Sequence, residues 1–340
     1  MTTVQPPTPA HAADARLRAL TAWASQQLGQ QVSPVPASAD ASFRRYFRCQ
    51  VQRGDGVQSL ILMDAPPEQE DSRPFVAVAA RLQRAGVAVP EIIAVDLQQG
   101  FMLLSDLGRQ TWLEALTDEN ADTWFSDAID TLIRVQQADA QGLPAYDEAL
   151  LRRELGLFPE WYLGRHLGLA EDTALHAALA EVNDLLVARA LAQPRVFVHR
   201  DFMPRNLMVS EPNPGVLDFQ DAVYGPISYD PICLFKDAFL SWPEARVQGW
   251  LSDYHARARN AGLPVTADLA EFLEDCDLMG AHRHLKVIGI FARICHRDGK
   301  PKYLADVPRF MTYLRTVIAR RPALAPLGEV LDRVAAVDAS

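Results

Sequence analysis

Lysine is almost absent from this chain of 340 residues. It occurs only at Lys236, Lys286, Lys300 and Lys302, and every other cation is arginine. Biased codon usage is the simplest cause, but the chemical consequence holds regardless. A phosphate bound by the first two-thirds of the chain must be met by arginine rather than by an amine. Cysteine is scarce as well. Cys49, Cys233, Cys276 and Cys295 are scattered, with no CxxC and no metal-type spacing. That excludes a disulfide framework and a cysteine-ligated metal, and reads as reduced core thiols in a cytosolic protein. Positive charge is in deficit, with 33 Lys and Arg against 43 Asp and Glu, a formal net charge of −10 and a pI near 5.3. A broad nucleic-acid or anionic-membrane surface is excluded, although a small basic site is not. No apolar run approaches membrane-spanning length, and the start, MTTVQPPTPAHAAD, lacks both a basic and an apolar segment of the secretory kind. The expectation is a cytoplasmic protein with no membrane, nucleic-acid or obligate protein partner. What is present, 49% hydrophobic and 22% charged residues, excludes disorder and allows two domains at this length.

After a Pro/Ala-rich leader, 1–13, expected to be mobile, DARLRALTAWASQQLG at 14–29 reads as an amphipathic helix ending at Gly29. FRRYFRCQV, the turn RGDG and VQSLILM then form a hairpin over 43–63. Phe75, Val78, Ala79 and Leu82 recur at helical spacing within 73–85, and EIIAVD and FMLL supply two further strands around the turn QQG. From residue 110 the character changes to long helical segments, about 119–139, 147–166 and 171–192, interrupted by one β-rich stretch at 195–219, with more helices from about 228. The fold class is α+β. A small antiparallel-sheet lobe over 14–105 is followed by a mostly helical lobe over 106–340, with the break near SDLG at 105–108.

The chemistry concentrates in VFVHRDFMPRNLMV, 196–209, and GVLDFQD, 215–221. A short apolar strand runs into Asp201, Asn206 comes five residues later just before another short strand, and Asp218 ends a third apolar run, so tight loops gather two carboxylates and an amide toward one cavity. The set suits Mg²⁺-assisted phosphoryl transfer, since Mg²⁺ takes one or two carboxylates plus phosphate oxygens. In this reading Asp218 bridges metal and nucleotide phosphates, Asn206 gives the metal a neutral oxygen, and Asp201 accepts the proton of the attacking hydroxyl.

The string H-R-D-x4-N-x11-D-F resembles the catalytic and metal-binding loops of the aminoglycoside phosphotransferase (kinase-like) superfamily. That resemblance implies a bilobal protein-kinase-like fold that uses ATP. DFQD is followed closely by YGP and SYDP, which leaves no room for a regulated activation segment, so a small-molecule acceptor is expected. FMLLSDLG at 101–108 looks like the hinge that reads adenine through its backbone, which implies Leu104, Ser105 and Asp106 at the nucleotide. SADASFRRYFR, LMDAPPE and FARICHRDGKP together look most like the bacterial anomeric sugar kinases of cell-wall recycling, which phosphorylate C1 of N-acetylmuramate and N-acetylglucosamine.

The pattern departs from the family in its first lobe. The strand lysine that usually touches the phosphates falls at Met63, and the helix over 73–85 holds no acid to pair with it. Ser42, Arg44 and Arg45, in and after the glycine-free ASADASF loop, are the candidates to meet phosphate; otherwise the two arginines are surface charges of a strand. His199 reads as structural, and Asp230 as a helix cap or a brace for the catalytic loop. Arg205 and Asp221 flank the site and are candidates for acceptor contact. Arg297, beside His296 and Lys300, is the candidate for an acceptor carboxylate, or merely compensates a helix dipole. Two other functions stay open. A cationic acceptor such as an aminoglycoside or choline would want clustered acids, for which EFLEDCD at 271–277 is the candidate. A nucleotide-binding pseudokinase would explain the missing lysine but not the presence of Asp201, Asn206 and Asp218.

Overall fold

The computed structural model describes residues 9–39 and 43–338, and Ser42 therefore lies outside the described residues. The chain divides into two compact units, Met1–Gln110 with Met208–Gln220, and Thr111–Leu207 with Asp221–Ser340.

In the first unit, helix α1 (Pro9–Leu28) begins upstream of the expected residue 14. Strands β1 (Val35–Ala39), β2 (Arg45–Arg53), β3 (Gly56–Asp64), β4 (Ile92–Asp96) and β5 (Phe101–Ser105) form one antiparallel sheet in the order β1-β2-β3-β5-β4. The β2–β3 hairpin closes at Arg53↔Gly56, where Gly54 at φ 56° takes the left-handed step of a tight turn. Alternation along the strands sorts the side chains. Phe47, Cys49, Val51, Leu60, Leu62, Phe101 and Leu103 lie on one face, packed with Leu20, Trp23 and Ala24 of α1. Helix α2 (Arg73–Arg84) buries Phe75, Val78, Ala79 and Leu82, the residues its spacing singled out. The 208–220 segment docks in this unit through Val209 N–H to the Gln110 carbonyl (2.9 Å), Val216 N–H to the Ala88 carbonyl (2.7 Å) and the Phe75–Phe219 ring pair (centroids 4.8 Å).

The second unit is helical: α3 (Trp112–Ala115), α4 (Ala121–Gln137), α5 (Glu148–Leu155), a π-helical stretch Phe158–His166, α6 (Thr173–Ala192), α7 (Tyr229–Phe235), α8 (Glu244–Asn260), α9 (Leu269–Asp298), α10 (Val307–Arg320) and α11 (Ala325–Asp338). The expected single helix over 147–166 is thus two elements, with Pro159 in the first turn of the second, where a missing N–H is tolerated. One strand, β6 (Arg195–Val198), pairs antiparallel with Val223–Pro226. Helix α9 is buried through most of its length and ends in a left-handed Gly299 (φ 66°). Its Gly289 meets Leu157 so closely that a Cβ there would lie 2.4 Å from the Leu157 carbonyl carbon. The protein is therefore α+β, with a sheet-built first lobe and a helical second lobe. No helix among the described residues is long and apolar enough to cross a membrane.

Candidate active site

In the second unit β6 delivers the chain into His199-Arg200-Asp201. The fully buried Asp230 carboxylate accepts the backbone N–H of His199 (2.7 Å) and of Arg200 (2.9 Å), so of the two readings of Asp230 the brace is the one observed. Burial pushes its carboxyl up to about 7, even though both N–H donors favour the charged form. His199 Nδ1 accepts the Asp201 N–H at 3.3 Å, and its ring packs edge-on against Phe202, which fits a structural role. A 3-10 turn, Pro204–Asn206, closes the loop: Asn206 Nδ2 donates to the Asp201 carbonyl (2.9 Å), and so does the Met203 N–H (3.0 Å). The structure thus brings Asp201 and Asn206 together, with the amide nitrogen committed and its oxygen the end suited to a cation. Arg205 is exposed and lies 5.1 Å from the Phe239 ring. Asp221 is exposed, and its carbonyl accepts from Arg200.

Behind the loop stands a group of residues that the sequence reading passed over. Glu154 of α5 is buried, and its Oε1 accepts from both Arg200 (2.6 Å) and Lys286 of α9 (2.8 Å), while its Oε2 takes the Tyr146 hydroxyl. Burial opposes the Glu154 charge, but Lys286 and Arg200 outweigh it and hold the carboxyl at about 2. Lys286 also donates to Tyr229 Oη at 2.9 Å. A signal existed: Glu154 shares a helical stripe with the buried Leu151 and Leu155, where a charged residue needs a partner. Lys286, one of four lysines, was the other clue. Lys236 is buried too, against Glu244 (3.3 Å), whereas Lys300 and Lys302 are exposed.

In the first unit Asp218 has φ 62°. It and Arg200 (φ 77°) are the two non-glycine residues of positive φ among the described residues. Gln220, standing where a D-F-G motif has glycine, donates to Asp218 Oδ1 at 2.7 Å and fixes the carboxylate. The hinge candidates are knitted into the sheet. Leu104 is buried in β5, and Ser105 Oγ accepts the Glu91 N–H (2.8 Å). Asp106 accepts from Arg48 (2.6 Å), Ser59 and the Gly108 N–H (3.0 Å). Burial opposes the Asp106 charge, and these donors outweigh it, keeping the carboxyl below its usual range. Arg44 and Arg45 are not solvated strand charges. Arg44 is buried against Glu70 (3.2 Å), and Arg45 pairs with the fully buried Asp64, which Arg16 clasps from α1 at 2.6 Å. Beside the buried Met63, β3 therefore carries a buried acid, Asp64, whose cations come from α1 and β2.

Donor chemistry fits a hard cation. In the second unit Asn206 offers an amide oxygen and, in the first, Asp218 offers a carboxylate, each a hard donor by itself, while no group of three or more His, Cys, Asp or Glu that could cage a metal gathers among the described residues. Such a set suits an ion completed by phosphate oxygens. The acid-rich EFLEDCD divides: Asp275 and Asp277 are buried, Glu274 is half-buried and Glu271 is exposed. Asp275 pairs with Arg189 (2.9 Å), Asp277 with Arg320 (2.6 Å) and Arg321 (2.9 Å), and Glu271 accepts from Thr266. Arg297, exposed near the end of α9, pairs with the adjacent Asp298 (2.6 Å).

The sequence profile of the phosphotransferase enzyme family matches residues 34–272. A protein of Pseudomonas aeruginosa named N-acetylmuramate/N-acetylglucosamine kinase is 59% identical, covering 94% of this chain and 96% of its own. One of the same name from Pseudomonas putida is 57% identical, covering 95% and 98%. Among solved structures, a Plasmodium vivax ethanolamine kinase superposes with a TM-score of 0.62 at 10% identity, covering 92% of this chain and 90% of that one, a likeness of fold alone.

Proposed function

Because the chain belongs to the phosphotransferase enzyme family, we propose that it transfers the γ-phosphoryl group of ATP to the anomeric (C1) hydroxyl of N-acetylmuramate and N-acetylglucosamine, in the cytoplasm, as a step in recycling cell-wall sugars. Identity over nearly the whole chain to relatives carrying that kinase name carries the reading. The Asp201–Asn206 loop supplies residues able to do the work. Residues 14–105 would bind nucleotide, and 106–340 would supply the catalytic loop and the acceptor site.

In this mechanism the sugar hydroxyl attacks the γ-phosphorus in line. The new O–P bond forms as the bond to the bridging oxygen breaks, and ADP leaves with the electron pair. Asp201 takes the hydroxyl proton; an anomeric hydroxyl is more acidic than an ordinary alcohol, so a carboxylate suffices late in a loose transition state. Asn206 and Asp218 would hold Mg²⁺, which when bound neutralises charge on the phosphate oxygens. Gln220 would keep Asp218 oriented for that role. Arg44 and Arg45 would meet phosphate while sharing their charge with Glu70 and Asp64, with Ser42 and the backbone of Leu104, Ser105 and Asp106 completing the nucleotide contacts. Arg205 and Asp221 would face the acceptor, and Arg297 its carboxylate. The cationic-acceptor alternative is weakened, since two of the four acids of 271–277, Asp275 and Asp277, are already ion-paired.

The test is ADP release with Mg·ATP and N-acetylmuramate, N-acetylglucosamine, kanamycin or choline. Turnover with the amino sugars, giving a product that no longer behaves as a reducing sugar, is expected. Turnover confined to kanamycin or choline would overturn the acceptor assignment, and tight Mg·ATP binding without turnover would point to a pseudokinase.

A further inference from the structure

The residue before Asp201 is unusual on three counts. Arg200 has φ 77°, a left-handed conformation that an L side chain rarely adopts. Its backbone is held at both ends, the N–H by Asp230 (2.9 Å) and the carbonyl by Cys233 Sγ (3.0 Å), which itself accepts from the buried Arg283 (2.8 Å). Its guanidinium reaches 2.6 Å to Glu154. That carboxylate is anchored independently, by Lys286 and by the Tyr146 hydroxyl, so it is a fixed post rather than a flexible partner. Arg200 is thus held at its backbone N–H, its carbonyl and the end of its side chain, directly before Asp201. A charged, hydrogen-bonded, buried triad is hard to justify by stability, because an apolar substitute of similar volume is often as stable. Orientation of the adjacent catalytic loop is what it supplies.

We propose that Glu154 is a positioning residue of the phosphotransfer site, which sets the placement of Asp201 by holding the side chain of the left-handed Arg200. The inference rests on the assignment of Asp201 given above. It explains how a loop with no regulated activation segment stays ordered: the anion that clamps the loop arginine is built permanently into α5, with Lys286 keeping it ionised. A lysine serves at 286 because its compact charge can share Oε1 with a guanidinium, which a second planar fork would crowd.

The experiment compares wild type, Glu154→Gln, Arg200→Gly, Arg200→Ala and the Glu154→Gln/Arg200→Gly double variant, full length, with kcat and KM measured for Mg·ATP and each amino sugar and normalised to the fraction that binds nucleotide. Glu154→Gln should lower kcat at least tenfold, with every KM value within threefold. Arg200→Gly, in which glycine adopts the positive φ unaided, should retain more activity than Arg200→Ala. In that background Glu154→Gln should add less than a twofold loss. A full additive loss in the double variant, or an unchanged kcat in folded Glu154→Gln, overturns the proposal. Failure of wild type to use any amino sugar would instead count against the acceptor assignment. Hydrogen exchange then decides the positioning role alone: amide protection over 199–206 should fall at least tenfold in Glu154→Gln, and unchanged protection overturns it.

Discussion

At the scale of single residues, the two positive-φ side chains fall on the loops of the candidate site. Arg200 and Asp218 hold left-handed backbone without being glycine, and such strain persists only where surroundings over-determine it. Around Arg200 the determinants are Asp230, Cys233 and Glu154; at Asp218 Gln220 is one. Asp201→Ala should lower turnover by three orders of magnitude or more while leaving Mg·ATP affinity within about twofold, as read by single-turnover kinetics and by calorimetry. Retained turnover would remove Asp201 from the role of base. Asp218→Ala should weaken Mg·ATP binding itself by tenfold or more, and Gln220→Ala should do so to a lesser degree, because it frees the carboxylate without deleting it. Equal affinity in all three proteins would deny Asp218 a place at the metal.

At the scale of elements, close approach decides the fate of a substitution. Glycine inside a helix normally costs about 1 kcal/mol relative to alanine, so Gly289→Ala in the middle of α9 would ordinarily stabilise. Here the added Cβ would sit 2.4 Å from the Leu157 carbonyl carbon and 2.6 Å from its oxygen. Both are backbone atoms that cannot swing aside, and overpacking of this kind costs typically 1–3 kcal/mol or more. The clash wins, and the urea midpoint of Gly289→Ala should fall; a rise would mean that α9 and the π-helical stretch slide apart freely. This contact also shows what the sequence could not reveal. The stripe Phe75, Val78, Ala79, Leu82 was legible because a helix with one buried face obeys a local period, and the hairpin because Gly54 punctuates it. The Asp201–Asn206 loop was legible because its chemistry is local in the chain. Glu154, Lys286 and Gln220 were not read, since their partners lie on other elements or replace a familiar glycine. The Asp64 clasp was missed because Arg16 and Asp64 are far apart in the chain and meet only when α1 lies across the sheet.

At the scale of the whole chain, stability should carry a specific pH signature. Glu154 is held at about 2 against its ordinary 4.5, so its contribution is complete above pH 4.5 and is lost as pH falls toward 2, a total of ~3 kcal/mol. Two other buried groups titrate against each other. Burial raises Asp230 to about 7, which favours the fold below pH 4 and is lost as pH rises to 7; it lowers His282 to about 4, which favours the fold above 6.5 and is lost as pH falls to 4. Their slopes oppose one another across the same interval. Thermal midpoints should therefore change little between pH 5 and 7 and drop below 4.5. Glu154→Gln should begin lower at pH 7 and lack that acid limb; an acid limb identical in both proteins would deny Glu154 the assigned part.

The scarcity of lysine has a last, practical consequence. Lys236 and Lys286 are buried in ion pairs, whereas Lys300 and Lys302 stand exposed, flanking Pro301 just beyond α9. An acylating dye or a surface activated for amines will therefore find lysine side chains at one spot of the folded protein. Once the α-amino group of the chain is blocked, tethering through these two lysines would hold the protein by that one spot without an engineered tag.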